Sequence, residues 1–134
     1  MEIERDFIKR EVQKISMLLT ALLEKVYGSN ANHLNITIDD LNETFIEMFD
    51  LSLTEFIEME EPELETILEG IDQDHLDKII DLLFEIVQRK QNDGYKFGID
   101  YNVISNRTIF LIDYLDKTSK TFSFQRMDIK SKLR

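Results

Sequence analysis

The chain has 134 residues, 43% of them hydrophobic and 32% charged, with four Gly, one Pro and no Cys. That is the length of one domain with enough apolar material for a core; it excludes collagen, a disordered chain and a turn-rich sandwich or barrel, and without Cys there is no disulfide scaffold, thiolate zinc site or cysteine nucleophile. The net charge of −11 is laid out in blocks: residues 2–27 are balanced, residues 28–77 hold fifteen acids and no Lys or Arg, and residues 78–134 hold seven acids against eleven bases.

In chain order, a first helix is predicted from Glu2 to Tyr27. Ile8, Val12, Ile15, Leu19, Leu22 and Val26 recur four and three apart, and Phe7, Leu18 and Leu23 widen the stripe. Gly28 suits a left-handed terminator, and Ser29–Asn35 is polar loop. A second helix follows Thr37, whose hydroxyl can cap while Asp40 reaches back; Ile38, Leu41, Phe45, Met48 and Phe49 make its face. Ser52 and Glu55 repeat the start signal ahead of Leu53, Phe56 and Ile57. Pro62 then opens another short helix, with Leu64, Ile67, Leu68 and Ile71 inward.

From Asp74 to Lys90 the pattern is again that of a long helix. Leu76, Ile79, Ile80, Leu83, Phe84 and Val87 form the inner stripe and Asp77, Asp81, Glu85 and Arg89 the outer one, with Asp74–Lys78 and Glu85–Arg89 spaced for helical ion pairs. Gly94 ends it, and a loop with Tyr95, Phe97 and Gly98 leads to a last major helix from Ile99 or Tyr101 to Lys117. A short connection makes the two antiparallel. The last major helix is apolar almost all round: Ile104, Leu111 and Leu115 point one way, Ile109 and Ile112 another. It must be surrounded or form an interface. A strand at Thr108–Leu111 has no partner strand or hairpin turn beside it. Residues 118–134 read as a basic C-terminal arm or short helix, with Lys117, Lys120, Arg126, Lys130, Lys132 and Arg134 against Asp128 alone, suited to neutralising the acidic middle.

The run Asp6, Phe7, Ile8, Arg10 and Val12 resembles the opening of a group of small, uncharacterised bacterial proteins that continue into helix pairs like those of tetratricopeptide repeats. The resemblance covers the first helix and loosely the helical order of the rest. It implies stacked helical hairpins, but the Trp, Leu-Gly and Ala landmarks of a true repeat are missing and no functional residue carries over.

Motifs for chemistry are sparse. Asp72 and His75 have the spacing of a helical metal pair, yet no second pair exists and Asp72 serves better as an N-cap; His33 stands alone in a loop. Asp72-Gln73-Asp74 opens like a calcium loop, but Asp77 and Leu83 occupy the positions of its required Gly and Glu. No glycine spacing cradles phosphate and no Ser sits in a nucleophile elbow. Asn35, Asn42 and Asn106 stand in sequons, read as coincidences of composition. Met1–Arg10 is too charged for a secretory leader, and Ile15–Leu23 is far short of the roughly 20 residues a spanning helix needs, so a cytoplasmic protein is expected.

Phe45, Phe49 and Phe56 fit the core. Tyr95, Phe97, Tyr101, Ile109, Ile112, Phe122 and Phe124 are the interaction candidates, since aromatics beside an apolar helix mark partner surfaces. The expectation is an all-α, single-domain bundle of five to seven helices over residues 1–134, acting without cofactor or metal. It would be a protein-interaction or scaffold module with an acid-rimmed apolar groove formed with the last major helix, taking a basic or amphipathic segment of a partner or a second copy in a homodimer. An acidic mimic of nucleic acid that binds a basic protein is the alternative. An enzyme with a carboxylate-lined cleft comes third, and the acidic block disfavours direct nucleic-acid binding.

Overall fold

The computed structural model describes residues 2–27, 38–93 and 99–134. Among them are seven helices and no strand: α1 (Glu2–Tyr27), α2 (Ile38–Phe49), α3 (Leu53–Glu58), α4 (Glu61–Leu68), α5 (Gln73–Asp93), α6 (Tyr101–Ser119) and α7 (Phe124–Leu133). Residues 108–111 are helical, so the conceivable strand is not formed. The expected features at Gly28, Ser29–Asn35, Thr37, Gly94 and Gly98, with His33, lie outside the described residues.

The elements start where side chains satisfy their first amides. Ser52 Oγ accepts from Glu55 N (3.0 Å) and Glu55 Oε1 accepts from Ser52 N (3.2 Å), completing the capping box on α3. Asp72 Oδ1 accepts from Asp74 N (2.9 Å) ahead of α5, and Asp100 Oδ1 from Asn102 N (2.8 Å) at α6. Two stops use no glycine. Asp50 closes α2 at φ 63° with its N–H on Ile46 O, and Lys120 closes α6 at φ 55°.

One core cluster draws on all seven helices. Its spine is α5, which packs along α1 and α6; Leu76, Ile79, Ile80, Leu82, Leu83, Ile86 and Val87 are all buried. Phe45 and Phe56 are fully enclosed and their rings lie 5.9 Å apart, while Phe49 sits half-buried 5.4 Å from Phe45. Among the described side chains of the α1 stripe, Leu19, Leu22 and Val26 are buried, Ile15 is half-buried and Val12 is exposed, so burial fades from Val26 toward Val12. Lys78 does not serve the expected pair with Asp74. Its Nζ donates across to Ser16 Oγ (2.5 Å) and Thr20 Oγ1 (3.4 Å) on α1.

Much of the apolar surface of α6 is covered inside the chain, with Val103 left 40% exposed. The helix packs on α5, α7 and α3, and Ile104, Thr108, Leu111, Ile112 and Leu115 are buried together. Arg107 ties α6 to the end of α3: Nε donates to Ile57 O (2.9 Å), Nη2 to Met59 O, and the guanidinium lies over the Phe110 ring. These carbonyls carry the negative end of the α3 dipole, which suits a cation.

The C-terminal arm is α7. It buries Ile129 and Arg126, the latter 5% exposed. Arg126 Nε donates to Asp116 (2.7 Å), Nη1 to Asp77 (2.9 Å) and Nη2 to Thr121 O (3.0 Å). Burial works against its charge, but Asp116 and Asp77 outweigh that and hold the guanidinium ionised. Lys130 pairs with Asp113 (2.5 Å) and Lys132 with Asp128 (3.0 Å). The arm therefore neutralises acids of α5, α6 and itself; Asp77, at the edge of the acidic middle, is the member of that block it engages in these pairs. Beside it Gln125 Nε2 donates to Asp81 Oδ1 (2.8 Å), and burial, with Asp77 and Glu85 nearby, pushes the Asp81 carboxyl up to about 6.

Leu83→Ala should lower stability by about 2–5 kcal/mol, read from the urea midpoint; an unchanged midpoint would remove α5 from the centre of the fold. Asp81 gives a pH signature. Its folded pKa is raised, so the stability it contributes is complete below its ordinary value of 3.8 and is lost as pH rises through about 6. The melting temperature should therefore climb as pH falls from 7.5 to 5. Asp81→Asn, which keeps the acceptor for Gln125, should raise it at pH 7.5 by a few degrees and flatten that slope; discounted for solvent screening, the effect is about 1 kcal/mol.

Candidate functional site

An apolar recess lies where α1 meets α2 and the α4–α5 junction. Its volume is about 600 Å³. Val12 and Ile15 of α1, Ile46, Met48 and Phe49 of α2, and Ile67 and Ile71 beyond it supply an apolar floor. Glu11, Glu47, Asp50 and Asp72 also line it, together with His75, which is 3% exposed, and no Lys or Arg is among the described lining residues. Lys14 reaches Glu47 from outside at 4.0 Å.

Local sequence explains this shape. The charge-balanced start of α1 extends its apolar stripe past the core, and Ile46 lies off the buried Leu41–Phe45–Met48 face of α2, leaving it 51% exposed. The left-handed turn at Asp50 then ends α2 and places a carboxylate at the mouth. Val12 carries a visible signal in its stripe; Ile46 could be found only as an apolar residue off the face of an acidic helix.

The groove expected with the last major helix is smaller and differently made. Ile57, Glu58, Glu61, Val103, Asn106, Arg107 and Phe110 bound a hollow of about 420 Å³. Arg107 fills its role there by clasping α3, although Arg107 Nη1 is buried without a hydrogen-bond partner. Burial pulls this guanidinium's pKa down while Glu61 opposes that. The hollow is thus the side of a structural clasp.

The interaction candidates separate. Phe122 and Phe124 are 69% and 76% exposed and come together edge to face, with centroids 4.9 Å apart. Tyr101 is exposed on the first turn of α6, and Ile109 is half-buried. Ile112 is fully buried, which corrects its assignment to a surface: it shares the inner face of α6 with Thr108, Leu111 and Leu115. Tyr95 and Phe97 lie outside the described residues.

Asp72 caps α5, and among the described residues no three His, Asp or Glu side chains converge as metal ligands. Asn42, one of the sequon residues, uses Oδ1 to accept from Thr54 N (2.9 Å) and Thr54 Oγ1 (3.2 Å), joining α2 to α3. The strongly displaced carboxyl, Asp81, sits under the arm and not in the cleft. No described helix is long and apolar enough to cross a membrane. Comparison with protein families, curated proteins and solved structures finds no match.

The segment from Asp39 to Asp74 carries no Lys or Arg of its own, and like charges this dense along the chain repel. Moderate salt, with a Debye length of about 8 Å at physiological ionic strength, screens that repulsion and should raise the melting temperature at pH 7. A fall on adding salt would mean that the Arg126 and Lys130 pairs dominate instead.

Proposed function

We propose that the chain is a non-catalytic protein-interaction module whose α1–α2–α5 cleft holds a basic, amphipathic helical segment of a partner protein. What carries the reading is the pairing of an apolar floor with carboxylates and no cation among the described lining residues. Apolar anchors at helical spacing would enter the floor while Lys or Arg on their flanks meet Glu11, Asp50 and Asp72. The carboxylates favour encounter with a cationic partner and reject nucleic acid; the floor supplies most of the holding force.

The probe is a designed amphipathic peptide of about 18 residues, Leu on one face and Lys on the other, titrated calorimetrically. Binding should weaken at least about tenfold with Ile46→Glu, a substitution at an exposed position that should keep the far-UV circular dichroism of the fold while lowering the melting temperature by a few degrees through repulsion from Glu43, Glu47 and Asp50. It should also weaken with salt, less steeply in Glu11→Gln/Glu47→Gln. Failure to bind, or binding indifferent to Ile46→Glu, overturns the cleft.

A second reading has one observation in its favour. Glu61, Glu63 and Glu65 of α4 are all exposed, continuing a block without Lys or Arg. If the basic probe ignores Ile46→Glu but is lost on neutralising these three, the chain acts as an acidic mimic of nucleic acid.

A further inference from the structure

We propose that the cleft of one copy receives the Phe122–Phe124 knuckle of a second copy, a head-to-tail contact. This rests on the cleft reading above and names the occupant. The knuckle is preformed: two exposed rings already packed edge to face at 4.9 Å, with Met127 (51% exposed) one turn along α7. Its approach is held by buried Arg126 on Asp77 and Asp116, so little order has to be gained on docking. Exposed Lys120 lies two residues before it in the chain, whereas Lys117 lines a separate hollow with Glu65 and Asp113. Knuckle and cleft are therefore complementary in kind: exposed aromatic rings next to Lys120 on one side, an apolar floor with carboxylates and no cation among its described lining residues on the other.

One copy directs the two surfaces apart. His75 lines the cleft and Asp77 holds the arm; two residues apart on one helix, they point about 160° from each other. The knuckle therefore meets another molecule's cleft more readily than its own. Because the two patches differ, the contact is heterologous, and a dimer keeps one free cleft on one copy and one free knuckle on the other with which to extend the chain.

Sedimentation equilibrium over a wide concentration range at low salt tests this. Wild-type protein should associate, and Ile46→Glu alone or Phe122→Glu/Phe124→Glu should each weaken association at least about tenfold. Phe122→Ala/Phe124→Ala should act in the same direction with the least disturbance of the arm. An equimolar mixture of the cleft variant and the knuckle variant should recover a 1:1 heterodimer that grows no further, since one intact cleft and one intact knuckle remain. Wild-type protein that stays monomeric, association that survives either variant, or a mixture that fails to complement overturns the proposal. The cationic peptide separates the two readings: if it still binds a monomeric wild type through Ile46, self-docking alone has failed, whereas loss of both removes the cleft as well.

Discussion

The arrangement depends on enclosing α5. Seven of its residues between Leu76 and Val87 are buried and apolar, covering far more than the stripe one neighbouring helix can satisfy. It therefore takes α1 along one side and α6 along another. What remains is the polar line of Asp77 and Asp81, which would be poorly solvated beside so much packing. Residues Gln125 and Arg126 of α7 occupy it. The third neighbour is thus recruited by charge and hydrogen bonding where the first two are recruited by burial.

The same requirement leaves the cleft. The buried length of α1 matches α5 from Leu19 to Val26, but burial fades toward Val12, which α2 to α4 leave exposed. Val12, Ile15 and Ile46 are consequently left facing a recess in the part of the chain richest in carboxylates. An acidic surface discourages the non-specific apolar association that such an exposed floor would otherwise invite, while admitting a partner that brings cations.

Much of this was legible in the sequence because helical periodicity and caps are local. The extents of α1 and α2, the Ser52–Glu55 box and the Asp72 cap follow from residues within a few positions of one another. Leu19, Leu22, Ile80 and Leu83 lie inside as their stripes require. Periodicity states which side of a helix is apolar, but not what covers it. Ile112 was thus readable as an interface residue until α3, α5 and α7 were seen around α6, and Val12 as core until it was seen to be exposed. Lys78 was one acid's partner by spacing and Ser16's by packing, across 62 positions. The stops at Asp50 and Lys120 left no trace, because residues other than Gly adopt the left-handed conformation there.

The clearest long-range device, Arg126 between Asp116 and Asp77, spans 10 and 49 positions and has no local signature. Desolvating the guanidinium offsets part of its attraction to Asp77 and Asp116, which are themselves still 44% and 45% exposed, so the pairs are a modest source of net stability. Their value here is positional. The arm fully buries one apolar side chain, Ile129, and partly buries Leu133 one turn on, a short apolar edge that could sit against the core in more than one register. A guanidinium that must meet two carboxylates on two helices and the carbonyl of Thr121 at once accepts one. Fixing that register also fixes the turn between α6 and α7, and so the direction in which Phe122 and Phe124 are held out to solvent.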